Sequence, residues 1–416
     1  MRILLWHGYL LGGTGSNVYT RQLAREWRRA GHDVTVLSQD PRPGEYDLGG
    51  ATTVRPDVGG LLPVFVLDRY EGYEVRLLQG CSRDELDAWV EANAAAVRAL
   101  LPADLVFTNH VLLGGPVGTA SGAPFAVKAH GSELEYSMRG NHDLSAWGAE
   151  ALAGARATFV GSGHIRQVLQ DVCGHVDRVY EVPPGVDVDL WQPESREVAL
   201  ARLLAEAARD RPNPGNREER IPDGGNAERL AAFLAGDLPT VVYFGKLIEQ
   251  KGVHVLVDAL QRVEARVVVV GFGPERAALE RHAAANSVRA LFTGPLEHRH
   301  LRHLLAFADA CVVPSVFPEA FGMVAAEAAA AGCPPIVARH SGLAEVAAGL
   351  EAELPPHLAT LIGTPTGDVS ALRERLERLF ALAASDRAQL RGTVRRAVEE
   401  RWSWAGVARQ LLELSL

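Results

Sequence analysis

The sequence predicts an α/β protein made of two successive doubly wound, Rossmann-like domains. A chain of 416 residues is too long for one compact core. Short β-branched and apolar runs alternate with helical stretches, which is typical of βαβ units around a parallel sheet. The alternation stops at Pro183–Gly185 and starts again at Thr240. We therefore place one domain at 1–185, a linker or insertion at 186–236 and a second domain at 237–390.

The first domain begins with a predicted strand at Arg2–Trp6, a helix at Asn17–Ala30 and a second strand at Val34–Ser38. Gly31 ends the helix, because glycine readily adopts the left-handed conformation found after many helices. The later strands of this domain are predicted at Leu105–Thr108, Ala126–Ala129, Thr158–Gly161 and Arg178–Val182.

The stretch Glu194–Gly236 differs in composition from its surroundings. A short helical piece at Glu197–Ala208 leads into Asp210–Asn226, which is dense in Arg, Pro, Asn and Gly and predicts a linker or insertion. A second α/β series follows, with elements predicted at Thr240–Phe244, Val253–Val263, Arg266–Val270, Glu275–Ala285, Val288–Phe292, Ala310–Val313 and Pro335–Ala338. A last helix is predicted at Arg391–Leu416.

The composition is that of an ordinary globular protein, with 47% hydrophobic and 22% charged residues. A net charge of -9 argues against a nucleic-acid partner, because phosphates require a local surplus of Lys and Arg. The four cysteines match no metal-ligand spacing, and a reducing compartment fits them best. No apolar run reaches the roughly 18 residues that span a bilayer. We expect a cytoplasmic protein without stable membrane insertion, either free or peripheral at the inner membrane face.

Two carboxylates, Glu319 and Glu327, lie on either side of a Phe-Gly turn that opens an Ala-rich helix. If the helix starts near Gly322, Glu327 lies about 7–8 Å further along its axis. A sugar nucleotide carries two polyol groups separated by a diphosphate of about that length, so each carboxylate could serve one polyol. Free N–H groups at the helix N-terminus would face the negative diphosphate. The alternative is that both carboxylates lie on a solvated helix face.

Three loops upstream also carry candidate binding groups. Lys246 and Lys251 surround a turn that opens a helix, and both could converge on one anion. Cations preorganised there would stabilise a leaving group that gains charge. A glycine-rich loop with Gly12, Gly13 and Gly15 follows the first strand and allows close backbone approach to a ligand. His130 follows a strand end, where open α/β sheets place ligand contacts.

Two other interpretations fit less well. A dinucleotide-binding fingerprint needs a third glycine, but Gly13-x-Gly15 and Gly271-x-Gly273 are followed by Val18 and Arg276 at that position. The run His298-Arg-His300-Leu-Arg-His303 suggests a metal site, but its only nearby carboxylate is Glu297, so a solvated helix face is the better interpretation. We therefore expect no metal and no cofactor.

The ordered combination His130-Gly, Gly245-Lys…Lys251-Gly and Glu319-x7-Glu327 resembles the signature of family 4 retaining glycosyltransferases. The resemblance implies the GT-B fold, in which two Rossmann-like domains border an interdomain cleft, and a last helix that packs back on the first domain. It covers nearly the whole chain except about 194–236 and 347–367. Lys246 stands where the family usually has Arg, and a lysine binds as a point charge instead of a bidentate fork.

The resemblance also implies roles for individual residues. The catalytic group would be His130, Lys246, Lys251 and Glu319. Lysines would neutralise the leaving diphosphate, and Glu319 would hold the sugar hydroxyls together with N–H groups near Phe321 and Gly322. Glu327 would accept from the ribose hydroxyls. Further substrate contacts would come from Gly12, Gly13, Gly15, Gly245, Phe292 and Leu296, with the base near the last two, and the acceptor pocket would be bordered by Glu133, Tyr136 and Arg139.

These features predict a retaining glycosyltransferase that moves a hexose-type sugar from a nucleoside diphosphate sugar, first of all a UDP-sugar, to an acceptor hydroxyl. The acceptor class stays open among a small molecule, a glycan and a lipid-linked glycan, and the oligomeric state is not predicted. Three other functions remain: a nucleotide-sugar epimerase, a phosphorylase of the same fold, and a non-catalytic protein that binds nucleotide sugars.

Overall fold

A computed structural model of the chain describes residues 1–12, 15–66, 70 and 72–416. The chain divides into two compact units, one made of Met1–Gly185 together with Trp404–Leu416 and the other of Val186–Ser403. Each unit is a parallel sheet accompanied by helices, which confirms the predicted fold class of two doubly wound α/β domains.

The first unit is built on a seven-stranded parallel sheet in the order β3-β2-β1-β6-β7-β8-β9, beside a separate parallel pair β4-β5. Its strands are β1 (Arg2–Trp6), β2 (Asp33–Leu37), β3 (Thr52–Val54), β4 (Leu61–Val64), β5 (Glu74–Leu77), β6 (Leu105–Asn109), β7 (Phe125–Lys128), β8 (Ala157–Val160) and β9 (Val179–Glu181). Its first five helices are α1 (Ser16–Arg29), α2 (Arg83–Arg98), α3 (Gly114–Ser121), α4 (His142–Ala153) and α5 (Gly163–Cys173).

The strand order of this sheet reverses beside β1, which lies between β2 and β6. The central strands β1 and β6 are almost entirely buried, as expected for strands covered by helices on both faces. In open α/β sheets, ligands bind beyond the carboxyl ends of the strands at such a reversal. The residues that follow β1, β6 and β7 are therefore brought together, and three of them are His7, His110 and His130.

The second unit has a six-stranded parallel sheet in the order β12-β11-β10-β13-β14-β15. Its strands are β10 (Thr240–Phe244), β11 (Arg266–Val270), β12 (Arg289–Phe292), β13 (Ala310–Val313), β14 (Pro335–Ala338) and β15 (Gly363–Thr364). Its helices are α6 (Arg196–Ala207), α7 (Asn226–Phe233), α8 (Val253–Ala259), α9 (Arg276–Ala285), α10 (His298–Phe307), α11 (Met323–Ala330), α12 (Ser341–Glu351), α13 (Pro356–Ala359), α14 (Val369–Phe380) and α15 (Ala384–Trp402).

The reversal of strand order in the second unit lies between β10 and β13. The loops that follow these two neighbouring strands consequently meet at the same edge of the sheet. One loop carries Lys251 and the other carries Glu319, so topology brings together two residues that are 68 positions apart in sequence.

The segment 186–236, predicted as a linker or insertion, is a folded part of the second unit, so the linker alternative is wrong. Its helices α6 and α7 bury Leu203 and Leu230 in the same hydrophobic core as the sheet. The polar stretch between the two helices is ordered by the side chain of Asn213, which is 2% exposed. The composition suggested a linker because this stretch carries no periodic apolar pattern. Its order comes from hydrogen bonds, which composition does not reveal.

The predicted last helix is broken at Ser403 into α15 and α16 (Trp404–Ser415). Trp402 packs edge-on against Phe321 in the core of the second unit, with ring centroids 5.6 Å apart. Trp404 packs against Tyr19 of the first unit at 5.2 Å. A Cβ atom added to Gly185 would lie 2.4 Å from the Trp404 indole, so glycine is required where the first unit ends.

The helix α16 lies on α1, and the Trp27 indole N–H donates to the carbonyl of Ala408 at 2.9 Å. The expected packing of the C-terminal helix on the first domain therefore holds for α16 alone, since α15 belongs to the second unit. None of the helices in the described ranges combines the length and the apolarity that a bilayer span requires.

Candidate functional site

The loop after β10 is shaped by a glycine. Gly252 has φ 65°, and a Cβ atom there would lie 2.1 Å from the carbonyl oxygen of Pro314. Only glycine permits this approach, which places the lysine loop directly against the segment after β13. The start of the loop is held by the Tyr243 hydroxyl, which donates to the carbonyl of Lys246 at 2.8 Å. The side chain of Lys246 is exposed, whereas that of Lys251 is partly buried.

Lys251 and Glu319 form an ion pair with 2.5 Å between Nζ and Oε1. The Ser315 hydroxyl donates to the same carboxylate oxygen at 2.6 Å. Both charged side chains keep access to solvent, 32% for Lys251 and 20% for Glu319. Sequence reasoning assigned these two residues to different parts of a ligand. The structure brings them together as one cluster of opposite charges at the edge of the sheet.

His340 and Ser341 support this cluster, and sequence reasoning missed both. The backbone N–H of Glu319 donates to the Ser341 hydroxyl at 2.8 Å. His340 Nε2 lies 2.7 Å from the carbonyl of Ser315, so Nε2 carries the proton and Nδ1 accepts from Ser341 at 2.9 Å. The sequence signal for them is the segment Ser341-Gly342-Leu343-Ala344-Glu345, which follows β14.

The helix α11 begins at Met323 after Gly322, which has φ 123°, and this confirms the predicted start of the helix near Gly322. In the described part of the chain, the N–H groups of Met323 and Val324 have no backbone partner. Unpaired N–H groups at the start of a helix carry partial positive charge and point toward an incoming anion.

Glu327 lies on α11 as a half-buried carboxylate. Burial raises the pKa of Glu327 to about 8. Within the described residues, the Glu327 side chain has no hydrogen-bond or ion-pair partner. Glu319, in turn, belongs to a loop and is paired with Lys251. Neither carboxylate therefore lies on a fully solvated helix face, which removes the alternative interpretation of this pair.

The other predicted contacts of the second unit are mostly backbone or apolar positions. Gly245 donates its N–H to the carbonyl of Val270 at 3.0 Å and so joins the loops after β10 and β11. Phe292 and Leu296 are buried, with 6% and 8% exposure. Phe321 is also buried, so its backbone and not its ring is available at the start of α11.

In the first unit, His130 is held in one orientation. Its Nε2 lies 2.7 Å from Oδ1 of Asn109, whose amide nitrogen donates to the carbonyl of Trp6 at 3.2 Å. Nε2 of His130 must therefore carry the proton, which leaves Nδ1 as an acceptor. Burial, together with the nearby His110 and Lys128, holds the pKa of His130 well below its usual value. The imidazole is neutral at physiological pH, and sequence reasoning missed Asn109 as the residue that orients it.

Glu133 was expected to border an acceptor pocket, and the structure corrects this expectation. The side chain is completely buried and accepts from the backbone N–H groups of His130 at 2.9 Å and Val111 at 3.3 Å. It also lies 3.2 Å from Nδ1 of His110. Desolvation alone would raise the pKa of Glu133, but His110 and the backbone N–H groups outweigh it and hold the pKa below its usual value. Glu133 therefore fixes the His130 loop from inside.

The two other predicted acceptor residues lie at the surface. Tyr136, in a single π-helical turn, is 61% exposed. Arg139 pairs with Glu135 at 2.7 Å, and both side chains are largely exposed. Both side chains are accessible to a ligand. Their role as acceptor contacts stays a prediction.

The N-terminal glycine loop is only partly described. Gly13 lies outside the described residues. Gly15 has φ 64° and open space around its Cα, so it requires glycine for its conformation. The carbonyl of Gly12 accepts from the Asn17 amide, whose oxygen lies 2.8 Å from Nε2 of His7.

The histidine run on α10 is not a solvated face, which corrects the sequence-based interpretation. His300 and His303 are buried and face the segments on either side of α6, where they meet Asp210 at 2.9 Å and Glu194 at 2.7 Å. Among the described residues, no group of three or more His, Cys, Asp or Glu could hold a metal ion. The two histidines therefore join α10 to its neighbouring segments.

Two family models match the chain. The model described as Glycosyltransferase Family 4 matches residues 13–190, and the model described as Glycosyl transferases group 1 matches residues 238–381. The first match covers the loop of His130, and the second covers Lys251, Glu319 and Glu327.

Curated relatives carry related names. A D-inositol 3-phosphate glycosyltransferase from Xylanimonas cellulosilytica is 33% identical over 211 residues, which cover 48% of this chain and 44% of that protein. An alpha-maltose-1-phosphate synthase from Mycolicibacterium smegmatis is 28% identical over 361 residues, or 78% of this chain and 84% of that protein. For the first relative and a glycogen synthase from Novosphingobium aromaticivorans, the match spans less than half of the relative, 44% and 37%.

Solved structures agree in fold. The sucrose-phosphate synthase from Thermosynechococcus elongatus has a TM-score of 0.64 and 23% identity, with 99% of this chain and 98% of that chain covered. The Anabaena protein HepE, in complex with UDP and glucose, has a TM-score of 0.69 and 16% identity, with 99% and 98% covered. At these identities the likeness concerns the fold alone.

Proposed function

The chain belongs to the family 4 glycosyltransferases of the GT-B fold, and from this we propose that it transfers a hexose from a nucleoside diphosphate sugar to an acceptor hydroxyl with retention of configuration. The observation that carries the proposal is the cluster of Lys251, Glu319 and Ser315 in the second unit. The start of α11 and an unpaired Glu327 supply further polar groups in the same matched region.

The diphosphate would bind the positive groups of this region. Lys251 offers an ammonium group that already faces a carboxylate, and the first N–H groups of α11 add partial positive charge. A leaving diphosphate gains negative charge in the transition state, so cations fixed beforehand accelerate its departure. Lys246 is exposed and could add a second cation. Because the chain itself supplies this positive charge, we propose that no metal is needed.

The two glutamates would then serve the two polyols of the donor. Glu319 accepts from sugar hydroxyls once Lys251 turns toward the diphosphate. Glu327 faces the ribose, and its raised pKa means that it meets the ligand largely as a carboxylic acid at pH 7. A carboxylic acid both donates and accepts, so it can bond to two adjacent hydroxyl groups.

The tautomer of His130 fits a sugar hydroxyl better than a phosphate oxygen. Its Nδ1 is an acceptor because Nε2 donates to Asn109. Hydroxyl groups can donate to such a nitrogen, whereas a fully ionised phosphate offers acceptors only. We therefore propose that His130 accepts a hydrogen bond from the transferred sugar.

The transfer step needs no reactant besides the sugar donor and the acceptor. The acceptor oxygen forms a bond to the anomeric carbon on the face from which the phosphate leaves. The bond between that carbon and the phosphate oxygen breaks, and its electron pair stays on the phosphate. The departing phosphate oxygen then takes the proton of the acceptor hydroxyl. Retention of configuration follows because attack and departure share one face.

The test is incubation of the protein with UDP-, GDP- and ADP-sugars and a panel of small-molecule, glycan and lipid-linked acceptors. A UDP-sugar is tried first, because the structurally similar HepE was solved with UDP-glucose. We expect release of nucleoside diphosphate that depends on the acceptor, and a product whose anomeric NMR coupling matches that of the donor. An epimerised donor would instead indicate an epimerase, a requirement for phosphate would indicate a phosphorylase, and binding without release would indicate a non-catalytic protein.

A further inference from the structure

Between α6 and the first turn of α7, residues 210–229 form an ordered segment that we call the strap. Its centre is Asn213, whose side-chain amide donates to the carbonyls of Glu218 at 3.0 Å and Pro222 at 3.1 Å. The amide oxygen of Asn213 accepts from the N–H of Glu218 at 3.1 Å. A polar side chain that satisfies several backbone groups replaces the apolar contacts that this stretch lacks.

The strap is bonded to the backbone that follows β12. The N–H of Asp223 and the side-chain amide of Asn226 both donate to the carbonyl of Thr293, each at 2.9 Å. The guanidinium of Arg229 donates to the carbonyl of Phe292 at 2.6 Å. Asp223 and Asn226 are almost fully buried, so these bonds form away from solvent. Three donors of the strap therefore hold two consecutive carbonyls.

Asp223 also connects this segment to the loop after β11. Its carboxylate receives two bonds from Arg276, at the start of α9, at 2.6 and 3.0 Å. Arg229 contacts the same carboxylate at 3.3 Å. A Cβ atom added to Gly294 would lie 2.5 Å from this carboxylate, so the strap lies directly on the β12 loop. The buried charge of Asp223 is compensated by two guanidinium groups.

These contacts determine which backbone groups of the loop after β12 have no hydrogen-bond partner within the protein and can bond to a ligand. The carbonyls of Phe292 and Thr293 are occupied by the strap, and that of Gly294 accepts from Gly271 at 3.0 Å. In the part of the chain that the structure describes, neither the N–H nor the carbonyl of Leu296 has a hydrogen-bond partner. One donor and one acceptor of the same residue thus have no partner among the described residues, in a loop that the strap holds in place.

We propose that the strap positions the nucleobase-binding loop: Asp223, Asn226 and Arg229 fix residues 292–296 so that the backbone of Leu296 can read the edge of the base. This inference rests on the proposed function and adds to it the element that determines base affinity and base preference. The three strap residues act through the loop and are positioning residues.

The test compares Arg229→Ala with a matched control, Arg211→Ala. Both arginines belong to the strap, but Arg211 forms an exposed pair with Glu218 and does not bond to the β12 loop. Binding of UDP, GDP, ADP and inorganic pyrophosphate is measured by calorimetry with the full chain. We expect Arg229→Ala to weaken the tightest nucleoside diphosphate about tenfold, the scale of one lost charge-assisted bond, and to narrow the differences among bases.

Pyrophosphate carries no base, so its affinity should stay the same in Arg229→Ala as in the wild-type protein. With the donor sugar, KM should rise while kcat at saturation is kept, and Arg229→Lys should recover part of the affinity because it retains a donor. Asn226→Ala serves as a second variant and should act in the same direction.

Three results would overturn the inference. Equal nucleoside diphosphate affinity in Arg229→Ala and Arg211→Ala would show that the strap does not position the base. A parallel loss of pyrophosphate binding would show general support of the fold instead. If the wild-type protein binds pyrophosphate but no nucleoside diphosphate, the proposed function fails first and the inference fails with it.

Discussion

Lys251 and Glu319 are each other's partner, and this changes what a substitution at either residue removes. Lys251→Ala takes away the charge that would face the leaving diphosphate and leaves Glu319 with Ser315 as its hydrogen-bond donor. We expect turnover to fall by about 10²–10³, the range for one preorganised stabiliser of transition-state charge. Steady-state rates of nucleotide release measure this. Lys246→Arg is the control and should keep most activity, because it keeps the charge at an exposed position.

Glu319→Gln should have the opposite effect on nucleotide binding. Neutralising the carboxylate releases Lys251 from its ion pair and makes the ammonium group available to the diphosphate. Affinity for the free nucleoside diphosphate should stay the same or rise, whereas sugar transfer should fall because the sugar loses an acceptor. Calorimetry and turnover are measured on the same preparation. A loss of nucleotide affinity in Glu319→Gln would contradict this division of roles.

Glu327 links function to stability through its raised pKa. The folded protein keeps the Glu327 proton up to about pH 8, whereas the unfolded chain releases it near 4.5. Between these values the unfolded state binds fewer protons, so the free energy of unfolding falls as pH rises, by at most about 1.4 kcal/mol per pH unit. Below 4.5 this effect is absent, and above pH 8 it is complete.

Glu327→Gln removes the titration and should stabilise the ligand-free protein, with a gain that grows from pH 5 to pH 8. It should also weaken nucleoside diphosphate binding by about 0.5–1.5 kcal/mol, the usual contribution of a neutral hydrogen bond, because the amide replaces a carboxylic acid that faces the ribose. Thermal unfolding across this pH range and calorimetry test both effects. A pH-independent difference in melting temperature would mean that Glu327 is not buried as a carboxylic acid.

At this scale the sequence indicated candidate catalytic residues, whose roles stay a prediction, but not the residues that support them. His130, Lys251 and Glu319 lie in loops that follow strands, where topology is informative, and Glu327 was indicated by its spacing from Glu319. Glu133 was misassigned, because a carboxylate five residues after β7 gives no sign of whether it faces a ligand or the backbone. Its burial depends on Val111 and His110, which lie on another loop.

At the scale of elements, most of the strands and helices that the sequence predicted differ from the observed ones by only a few residues, because their apolar patterns are regular. The short strands β3, β4 and β5 and the helices α2 to α5 were not predicted individually. The strap was not predicted. The strap is ordered by the side chains of Asn213 and Asp223, which bond to residues that only the tertiary structure brings close. A local sequence pattern cannot indicate such partners, since a polar, glycine-rich stretch is equally compatible with disorder.

The turn at Gly252 offers a test at this scale. Gly252 and Gly236 both have left-handed φ values, 65° and 74°, but only Gly252 is crowded, by the carbonyl of Pro314. Gly236→Ala should cost about 1–2 kcal/mol of stability, the usual cost of that backbone conformation. Gly252→Ala should cost more and should also lower turnover, because the loop of Lys251 must shift. Urea unfolding and activity of the two variants decide this, and equal effects would contradict it.

At the scale of the whole molecule, the chain passes from the first unit to the second and back again. The two passages are paired, since the N–H of Val186 donates to the carbonyl of Trp402 at 2.6 Å. Trp404 then fills the core of the first unit beside Tyr19. The sequence predicted two domains from length and periodicity, but the resemblance alone suggested the return of the last helix.

Trp404→Ala should therefore destabilise the first unit by about 3–5 kcal/mol, the usual cost of removing a buried tryptophan. Hydrogen exchange should increase in α1 and in α16, whereas the amides of β10 and β11 in the second unit should keep their protection. Exchange measured by mass spectrometry distinguishes the two units. Uniform loss of protection would mean that the two units unfold together.

The position of α16 also has a consequence for biosynthesis. A ribosome releases the first 185 residues long before it adds the helix that covers α1. During translation of the intervening segment, the Trp27 indole N–H lacks its partner Ala408, and the side of α1 that α16 covers in the folded protein faces solvent. The N-terminal unit therefore stays incomplete until its last helix emerges from the exit tunnel, and the exposed side of α1 can aggregate until then.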